Sequence, residues 1–218
     1  MQNDVVDREQ WLKARAELLS REKEHTQARQ ALAKARQNLP WVRLDKEYRF
    51  EGSEGDLNLS DLFKERSQLV VYHLMFGPGW EVPCPGCTSW ANAFNCTTYQ
   101  FRAADARLIA VSRAPHEEIT KQRDELGWSF TWVSSSPGDF GIDFYGSSED
   151  RSDSSSKHIG GKDGERVEFD RGENHGVSVF YRNQAGEIFH TYSCYNRGIE
   201  DLNGAFGYFD LLPKGRAW

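Results

Sequence analysis

The sequence lacks an excess of positive charge. Its 218 residues include 27 Lys and Arg against 33 Asp and Glu, which gives a formal net charge of −6. Phosphate backbones are bound mainly through clustered basic side chains. We therefore expect no nucleic-acid partner.

Long apolar runs are also missing. No run approaches the roughly 20 apolar residues that a membrane-spanning helix needs. The opening residues, MQNDVVD, show neither the basic stretch nor the apolar stretch of a secretory signal. These absences predict no membrane association and a cytoplasmic location. In a reducing compartment, four cysteines are more often catalytic, metal-binding or isolated thiols than a disulfide framework.

Residues 1–40 are predicted to form a helical extension. Asp7 is a suitable N-cap, Gln10 follows three residues later as in a capping box, and Pro40 ends the run. A narrow stripe recurs every seven residues and consists of Trp11, Leu18, His25, Leu32 and Leu39. Such a stripe can pack along the chain's own domain or pair two chains, so a homodimer is one of two interpretations.

Extended and helical segments alternate over residues 41–218. Strands are predicted at 41–50, 68–76, 107–112, 130–133, 176–182 and 187–192, and helices at 60–66, 84–101, 115–126 and 200–210. Strands followed by helices indicate βαβ units and a mainly parallel sheet covered on both faces. The last two strands read as an antiparallel hairpin. The predicted fold class is α/β, with a mixed sheet flanked by helices.

One stretch of this second region has little to bury. Residues 134–175 are rich in Ser, Gly and Asp, most of all between 146 and 164. Such a composition is typical of a surface insertion. We expect 146–164 to be mobile unless it orders as a lid.

The segment Val82-Pro83-Cys84-Pro85-Gly86-Cys87 carries the clearest chemical signal. It follows a buried strand and opens a helix, with Cys84 at the N-cap and Pro85 at the first helical position. Cys87 then lies one turn later, within bridging distance of Cys84. The positive end of the helix favours a thiolate at Cys84, which can attack a disulfide, and Cys87 can resolve the mixed disulfide. Gly86 has no side chain and therefore leaves the dithiol accessible to a substrate.

The surroundings of the dithiol are predicted to be apolar, because Glu81 is the only charge between Ser67 and Phe101. Glu81 is either a proton acceptor for Cys87 or a solvated loop carboxylate. Aromatic residues flank the pair and can form a docking groove or simply pack. The predicted groove consists of Trp80, Pro85, Gly86 and Trp90.

Two other interpretations of the cysteine pair stay open. His190 and Cys194 are four residues apart on a predicted strand, so they would face one side and could complete a zinc site with the pair. The pair could also be inert structural thiols. We expect no metal and no cofactor, because a helix-capping pair that encloses Pro and Gly suits redox exchange better. Cys96 and His73 are predicted to be core residues.

The order of elements resembles the thioredoxin fold. The chain resembles, over nearly its whole length, a bacterial family of unknown function (domain of unknown function 899) that is predicted to contain dithiol–disulfide oxidoreductases. The segments that carry this resemblance are EQWLKARAELL, VVYHLMFGPGWEVPCPGCTSWANAFN, AVSRAPHEEI, GWSFTWVSS, HTYSCYNRG and LNGAFGYFDLLPKG. Residues 108–136 are also similar to peroxiredoxins.

This resemblance implies a disulfide-containing or peroxide substrate and an external thiol reductant. It also has two departures. Thioredoxins place a cis-proline before the strand that faces the dithiol, whereas His175 and Gly176 stand there. Peroxiredoxins carry Thr three residues before the reactive cysteine, whereas Glu81 stands there, although Arg113 could supply the positive charge that a peroxidatic thiolate needs. The expected function is dithiol–disulfide exchange; the alternatives are a thiol peroxidase and a non-enzymatic, possibly zinc-binding module.

Overall fold

The chain divides into two compact units, Met1–Pro40 and Trp41–Trp218. A computed structural model describes residues 4–144 and 172–214. The segment 146–164, for which the sequence predicts mobility or a lid, lies outside the described residues.

The first unit is a single long helix, α1 (Arg8–Gln37). Asp7 caps it as predicted, and its Oδ1 accepts a hydrogen bond from the Gln10 N–H at 2.8 Å. All residues of α1 are described, and none of them is buried. The apolar members of the seven-residue stripe are between 44% and 48% exposed: Trp11, Leu18, Leu32 and Leu39.

The second unit is built on one sheet. Within the described residues the sheet has eight strands: β1 (Val42–Arg43), β2 (Arg49–Gly52), β3 (Gly55–Asn58), β4 (Gln68–His73), β5 (Ala106–Ser112), β6 (Trp132–Ser134), β7 (Gly176–Arg182) and β8 (Ile188–Tyr195). Their order is β1-β8-β7-β4-β5-β6-β2-β3. Strands β4, β5 and β6 run parallel to one another, and all other pairs are antiparallel. The predicted mixed sheet is therefore present.

Short helices flank the sheet: α2 (Leu59–Phe63), α3 (Pro85–Ala91), α4 (Thr98–Ala103), α5 (His116–Glu125), α6 (Phe140–Asp143) and α7 (Gly204–Phe209), with 3₁₀ turns at Phe94–Cys96 and Asn196–Leu202. Helix α2 begins earlier than predicted, because Asn58 rather than Ser60 caps it in a capping box with Asp61. Among the described helices, none is both long enough and apolar enough to cross a membrane.

The two faces of the sheet bury two separate cores, because successive side chains of a strand point to opposite faces. In β4, Leu69 and Val71 pack with Phe50, Phe63 and Phe180 on one face. On the opposite face, Tyr72 packs with a second group that includes Cys87, Ala91, Trp128 and Trp132. Helix α3 therefore lies on the Tyr72 face of the sheet.

The helix predicted over 84–101 is broken into α3, a 3₁₀ turn and α4. Two asparagines at the break bond to the segment that precedes β6. Asn92 Oδ1 accepts from the Trp128 indole N–H at 2.8 Å, and Asn95 Oδ1 accepts from the Ser129 N–H at 2.9 Å. These tertiary bonds give the chain an alternative to a continuous helix.

Part of the predicted 134–175 insertion belongs to the core. Ser134 ends β6 and is fully buried, and Phe140 of α6 is also fully buried. The Phe140 ring meets the Phe50 ring at 4.9 Å between centroids. The Ser- and Gly-rich composition of this stretch concealed these aromatic anchors.

Candidate active site

The dithiol lies at the carboxyl end of the parallel strands. Strand β4 ends at His73, and a loop then leads to Cys84. The Cys84 N–H donates to the Met75 carbonyl at 2.9 Å, which brings the end of the loop back to its start. Ligands of α/β proteins commonly bind at this edge of a sheet.

Cys84 occupies the N-cap of α3 and Pro85 is the first helical residue, as predicted. The Cys84 carbonyl accepts from the Thr88 N–H at 2.9 Å and from the Thr88 hydroxyl at 3.1 Å. Pro85 has no N–H to leave unsatisfied in the first turn. The first turn of the helix is therefore held by the Cys84 main chain.

The two cysteines differ in accessibility and are in the dithiol form. Cys84 is half-buried, whereas Cys87 is 3% exposed. A Cβ built on Gly86 would meet only Cys84 Sγ, at 3.8 Å. Gly86 and Pro85 are themselves exposed. The sulfur of Cys84 thus lies beside open surface and the sulfur of Cys87 lies in the core.

Electrostatics distinguish the two thiols as well. A hydrogen bond to Cys84, burial, and the charge of a Cys84 thiolate together raise the pKa of the Cys87 thiol well above its ordinary value. Two donors act in the opposite direction on the pKa of Cys87, namely the Met75 main chain and the Tyr72 hydroxyl. Burial and the neighbouring Cys84 therefore both favour the protonated form of Cys87.

The predicted groove residues lie at the surface around Cys84. Trp80 and Trp90 are half-buried and pack against the core that contains Cys87. The Trp90 ring meets Phe206 of α7 edge-on, with 5.5 Å between centroids. Val82, which the prediction omitted, is 58% exposed beside them. Apart from the exposed Glu81, these residues give the surface near Cys84 aromatic and aliphatic side chains.

Glu81 and Arg113 are in different situations. Glu81 is exposed, and its carbonyl accepts a hydrogen bond from Gln122 at 3.4 Å. The Arg113 side chain is 24% exposed, and its Nε–H donates to Glu173 Oε1 at 2.8 Å. The Glu173 side chain is only 2% exposed. Arg113 is thus held by a buried carboxyl group that no sequence pattern indicated.

Glu173 also borders the loop that precedes the dithiol. A Cβ built on Gly77 would lie 3.0 Å from Glu173 Oε1 and 3.1 Å from the indole nitrogen of Trp80. Burial raises the pKa of Glu173 to about 7, although Arg113 acts to lower it. No signal in the sequence pointed to Glu173, because it directly follows a Ser-, Gly- and Asp-rich stretch.

A bulge in the last hairpin corrects the geometry on which the zinc interpretation was based. The β7–β8 register shifts between Val179 and Phe180, so that Cys194 pairs with Val177 and His190 pairs with Phe180. Phe180 and Val177 belong to the two different cores. His190 and Cys194 therefore face opposite sides of the sheet and do not complete a site with the dithiol. Among the described residues, no group of three metal-ligating side chains comes together.

Instead, His190 is part of a buried polar chain with His73. His73 Nε2 lies 2.8 Å from Ser178 Oγ, Ser178 accepts from the Ser193 hydroxyl at 2.8 Å, and Ser193 Oγ lies 2.7 Å from His190 Nε2. His73 is a satisfied core histidine, as predicted. Cys96, in contrast, is exposed and not a core residue, because the helix break turns it outward.

The position that thioredoxins give to a cis-proline is occupied by a trans peptide here. No cis peptide bond occurs among the described residues. Gly176 opens β7 opposite His73 of β4. The departure inferred from the sequence is therefore present in the fold.

Comparisons with known proteins agree with this architecture. The family described as "Bacterial protein of unknown function (DUF899)" matches residues 1–218. A search of the curated proteins finds no match. A mutant of PrxQ from Xylella fastidiosa is 17% identical with a TM-score of 0.50, over 78% of this chain and 96% of that chain. This similarity establishes the predicted thioredoxin-like fold.

Two further structures are similar at lower scores. The bacterioferritin comigratory protein of Xanthomonas campestris is 17% identical with a TM-score of 0.49, over 73% of this chain and 88% of that chain. A Chlorobium tepidum protein assigned as thiol:disulfide interchange protein DsbE is 14% identical with a TM-score of 0.45, over 78% of this chain and 95% of that chain.

Proposed function

The chain belongs to the bacterial family of unknown function DUF899, and from this premise we propose that it is a dithiol–disulfide oxidoreductase. Cys84 and Cys87 cycle between the dithiol and the disulfide. Cys84 attacks the substrate, and Cys87 resolves the mixed disulfide. The substrate is a compound or protein that contains a disulfide, and an external thiol returns the pair to the dithiol.

The single observation that carries this proposal is the asymmetry of the pair. Cys84 is half-buried at a helix N-cap, whereas Cys87 is buried one turn later with a strongly raised pKa. A hydrogen bond from the Cys87 thiol stabilises a thiolate at Cys84. The thiolate is the nucleophile in disulfide exchange. The accessible sulfur is therefore the one that should ionise first and react first.

The reaction proceeds in two displacements. Cys84 Sγ attacks a substrate sulfur, the substrate disulfide breaks, and the leaving sulfur departs as a thiolate that takes a proton from solvent. Cys87 then loses its proton and attacks Cys84 Sγ, which releases the second substrate thiolate. The substrate is reduced by two electrons and the pair is oxidised by two. Glu81, exposed in the preceding loop, is our candidate for accepting the Cys87 proton.

The apolar surface around Cys84 suits a disulfide with apolar neighbours. Trp80, Trp90, Pro85 and Gly86 border the thiol without a charged side chain among them. A substrate that docks there would gain free energy by burying aromatic surface.

A thiol peroxidase that uses Cys84 is the alternative, and one contact weakens it. A peroxidatic thiolate needs a nearby positive charge, and Arg113 is the cation that we considered for that role. Its Nε–H is already donated to the buried Glu173, so that donor is not directed at a thiolate. Disulfide exchange needs no such cation.

The experiment compares substrates and variants on the full chain. With dithiothreitol as reductant, we expect turnover of glutathione disulfide in the wild type and in Cys96→Ser, whose cysteine is exposed away from the pair. Cys84→Ser should lose all activity. Cys87→Ser should accumulate a mixed disulfide on Cys84, which intact-mass measurement detects. Oxidation of Cys84 by hydrogen peroxide that outpaces every disulfide would instead favour the peroxidase.

A further inference from the structure

Tyr72 carries a hydroxyl that the fold itself does not explain. The residue lies on β4, is 1% exposed, and packs with Cys87 in the core beneath α3. Its ring meets Phe94 edge-on at 5.2 Å between centroids. The ring therefore accounts for the packing. The hydroxyl has no oxygen or nitrogen partner among the described residues, and the polar group that it faces is the Cys87 thiol.

The register of the sheet places this hydroxyl. Tyr72 is opposite Val177 of β7 and Ala110 of β5. Both neighbours belong to the same core as Cys87, so the Tyr72 side chain is directed to the face on which α3 packs. Tyr72 and Cys87 therefore lie in the same core between β4 and α3, where the hydroxyl and the buried thiol interact.

A buried hydroxyl without a strong partner costs free energy. Phenylalanine would fill the same space in the dithiol state without that cost. Hydrogen bonds to a charged acceptor are stronger than bonds to a neutral one. The Tyr72 hydroxyl should therefore gain its full partner only when Cys87 carries a negative charge.

We propose that Tyr72 is a catalytic hydrogen-bond donor to the Cys87 thiolate, a role that rests on the proposed dithiol–disulfide function. In the resolving step the Cys87 thiol gives up its proton, for which Glu81 is the candidate acceptor, and Cys87 Sγ then attacks Cys84 Sγ. The bond between Cys84 and the substrate breaks, and the departing thiolate takes up a proton. When an external thiol reduces the Cys84–Cys87 disulfide, Cys87 Sγ is the leaving group and receives the same hydrogen bond.

Tyr72 donates a hydrogen bond and keeps its proton throughout. Burial and the neighbouring Cys87 raise the pKa of Tyr72 far above its ordinary value. It cannot serve as the base for Cys87. The Met75 main chain is a second donor to the same sulfur, so the two together form a small anion-stabilising site in an apolar surrounding.

The test separates the two displacements with dithiobis(nitrobenzoate) as the probe. Attack by Cys84 releases one nitrothiobenzoate, and resolution by Cys87 releases a second, so two phases of absorbance report the two steps. All chains carry Cys96→Ser and Cys194→Ser, because these two further thiols, one exposed and one half-buried, could also react with the probe. The variant is Tyr72→Phe, and the matched control is Tyr99→Phe, which removes a hydroxyl from a side chain that is 81% exposed.

In Tyr72→Phe we expect the second phase to slow about tenfold and the first phase to keep its rate. The apparent pKa of the second phase should rise, so that the difference in its rate between Tyr72→Phe and wild type becomes smaller at high pH. A purely structural role would not produce this pH dependence. Tyr99→Phe should match wild type in both phases.

An unchanged second phase in Tyr72→Phe, or equal slowing of both phases, would overturn the proposed role of Tyr72. It would leave the proposed dithiol–disulfide function intact. Loss of the fold in this variant, seen by circular dichroism, would overturn it too, because a hydroxyl reserved for the thiolate contributes little to packing. A wild type that never releases the second equivalent would remove the proposed function itself.

Discussion

Tyr195 lies directly against Gly176 across the β7–β8 ladder. The two residues are paired in register, and a Cβ built on Gly176 would come within 2.2 Å of the Tyr195 ring and 2.8 Å of the Cys194 carbonyl oxygen. The Tyr195 hydroxyl donates to the Phe144 carbonyl at 2.9 Å, which holds the ring in place. Glycine is therefore required at position 176 by close approach.

Gly176→Ala should destabilise the chain by about 1–3 kcal/mol, because the added methyl group must displace the Tyr195 ring or the β8 main chain. Urea unfolding measures the change. Gly204→Ala is the control, since a Cβ at Gly204 meets nothing within 4 Å, and it should leave stability unchanged. Equal stability of the two variants would contradict the steric argument.

The buried Glu173 should make the stability of the chain depend on pH. Its pKa rises from 4.5 to about 7 on folding because of burial. Between these values the folded chain holds a proton that the unfolded chain has released, so the free energy of unfolding falls as pH rises. Above pH 7 both states are ionised and the dependence ends.

From pH 4.5 to pH 7, the free energy of unfolding of Glu173→Gln should rise by about 3 kcal/mol relative to that of the wild type. Urea unfolding of both chains at several pH values measures the difference. Histidines with a lowered pKa, such as His73, are present in both chains, so their effect on the free energy of unfolding cancels in the difference. Glu81→Gln, at an exposed carboxylate, is the control for the loss of one acidic side chain. If the difference between Glu173→Gln and wild type does not change with pH, Glu173 is ionised in the folded chain over this whole pH range.

Ser178 joins the two halves of the buried polar chain. Its hydroxyl oxygen is 2.8 Å from His73 Nε2 and accepts from Ser193 at 2.8 Å. Ser178→Ala should cost about 1–3 kcal/mol, because it leaves the buried ring nitrogen of His73 without a partner. Thermal unfolding compares it with Ser89→Ala, at an exposed position on α3. If both variants melt together, the chain of hydrogen bonds contributes nothing to stability.

The features that the sequence predicted best have local causes. The apolar run that forms β4 and the placement of Cys84 and Pro85 at the start of α3 depend on neighbouring residues alone. The same holds for Asp7 at the start of α1. Propensity, capping and hydrophobic pattern are properties of short segments, so they can be read before the fold is known.

The features that the sequence could not predict depend on distant contacts. Glu173 meets Arg113 across 60 residues. The β8 bulge that separates His190 from Cys194 is one extra residue, and no turn residue marks it. No role was predicted for Tyr72, because it lies within an apolar run. A tyrosine hydroxyl on a buried strand is nevertheless a polar group that needs a partner.

The last prediction concerns α1, for which we expect a homodimer. The apolar members of the stripe are each at least 44% exposed, and no residue of the helix is buried. Pairing with the same stripe of a second chain would bury these side chains at the seven-residue spacing of a coiled coil. Each leucine that becomes buried contributes about 1.5–3 kcal/mol. Sedimentation of the full chain should therefore give a dimer.

A paired substitution tests the stripe without shortening the chain. Leu18→Glu combined with Leu32→Glu places charges on the stripe of both helices and should give a monomer. Gln27→Glu combined with Gln30→Glu adds the same charge at exposed positions outside the stripe, and this control should stay dimeric. If the wild type already sediments as a monomer, pairing through the stripe is excluded. If instead the control and the leucine variant dissociate alike, net charge rather than the apolar stripe governs association.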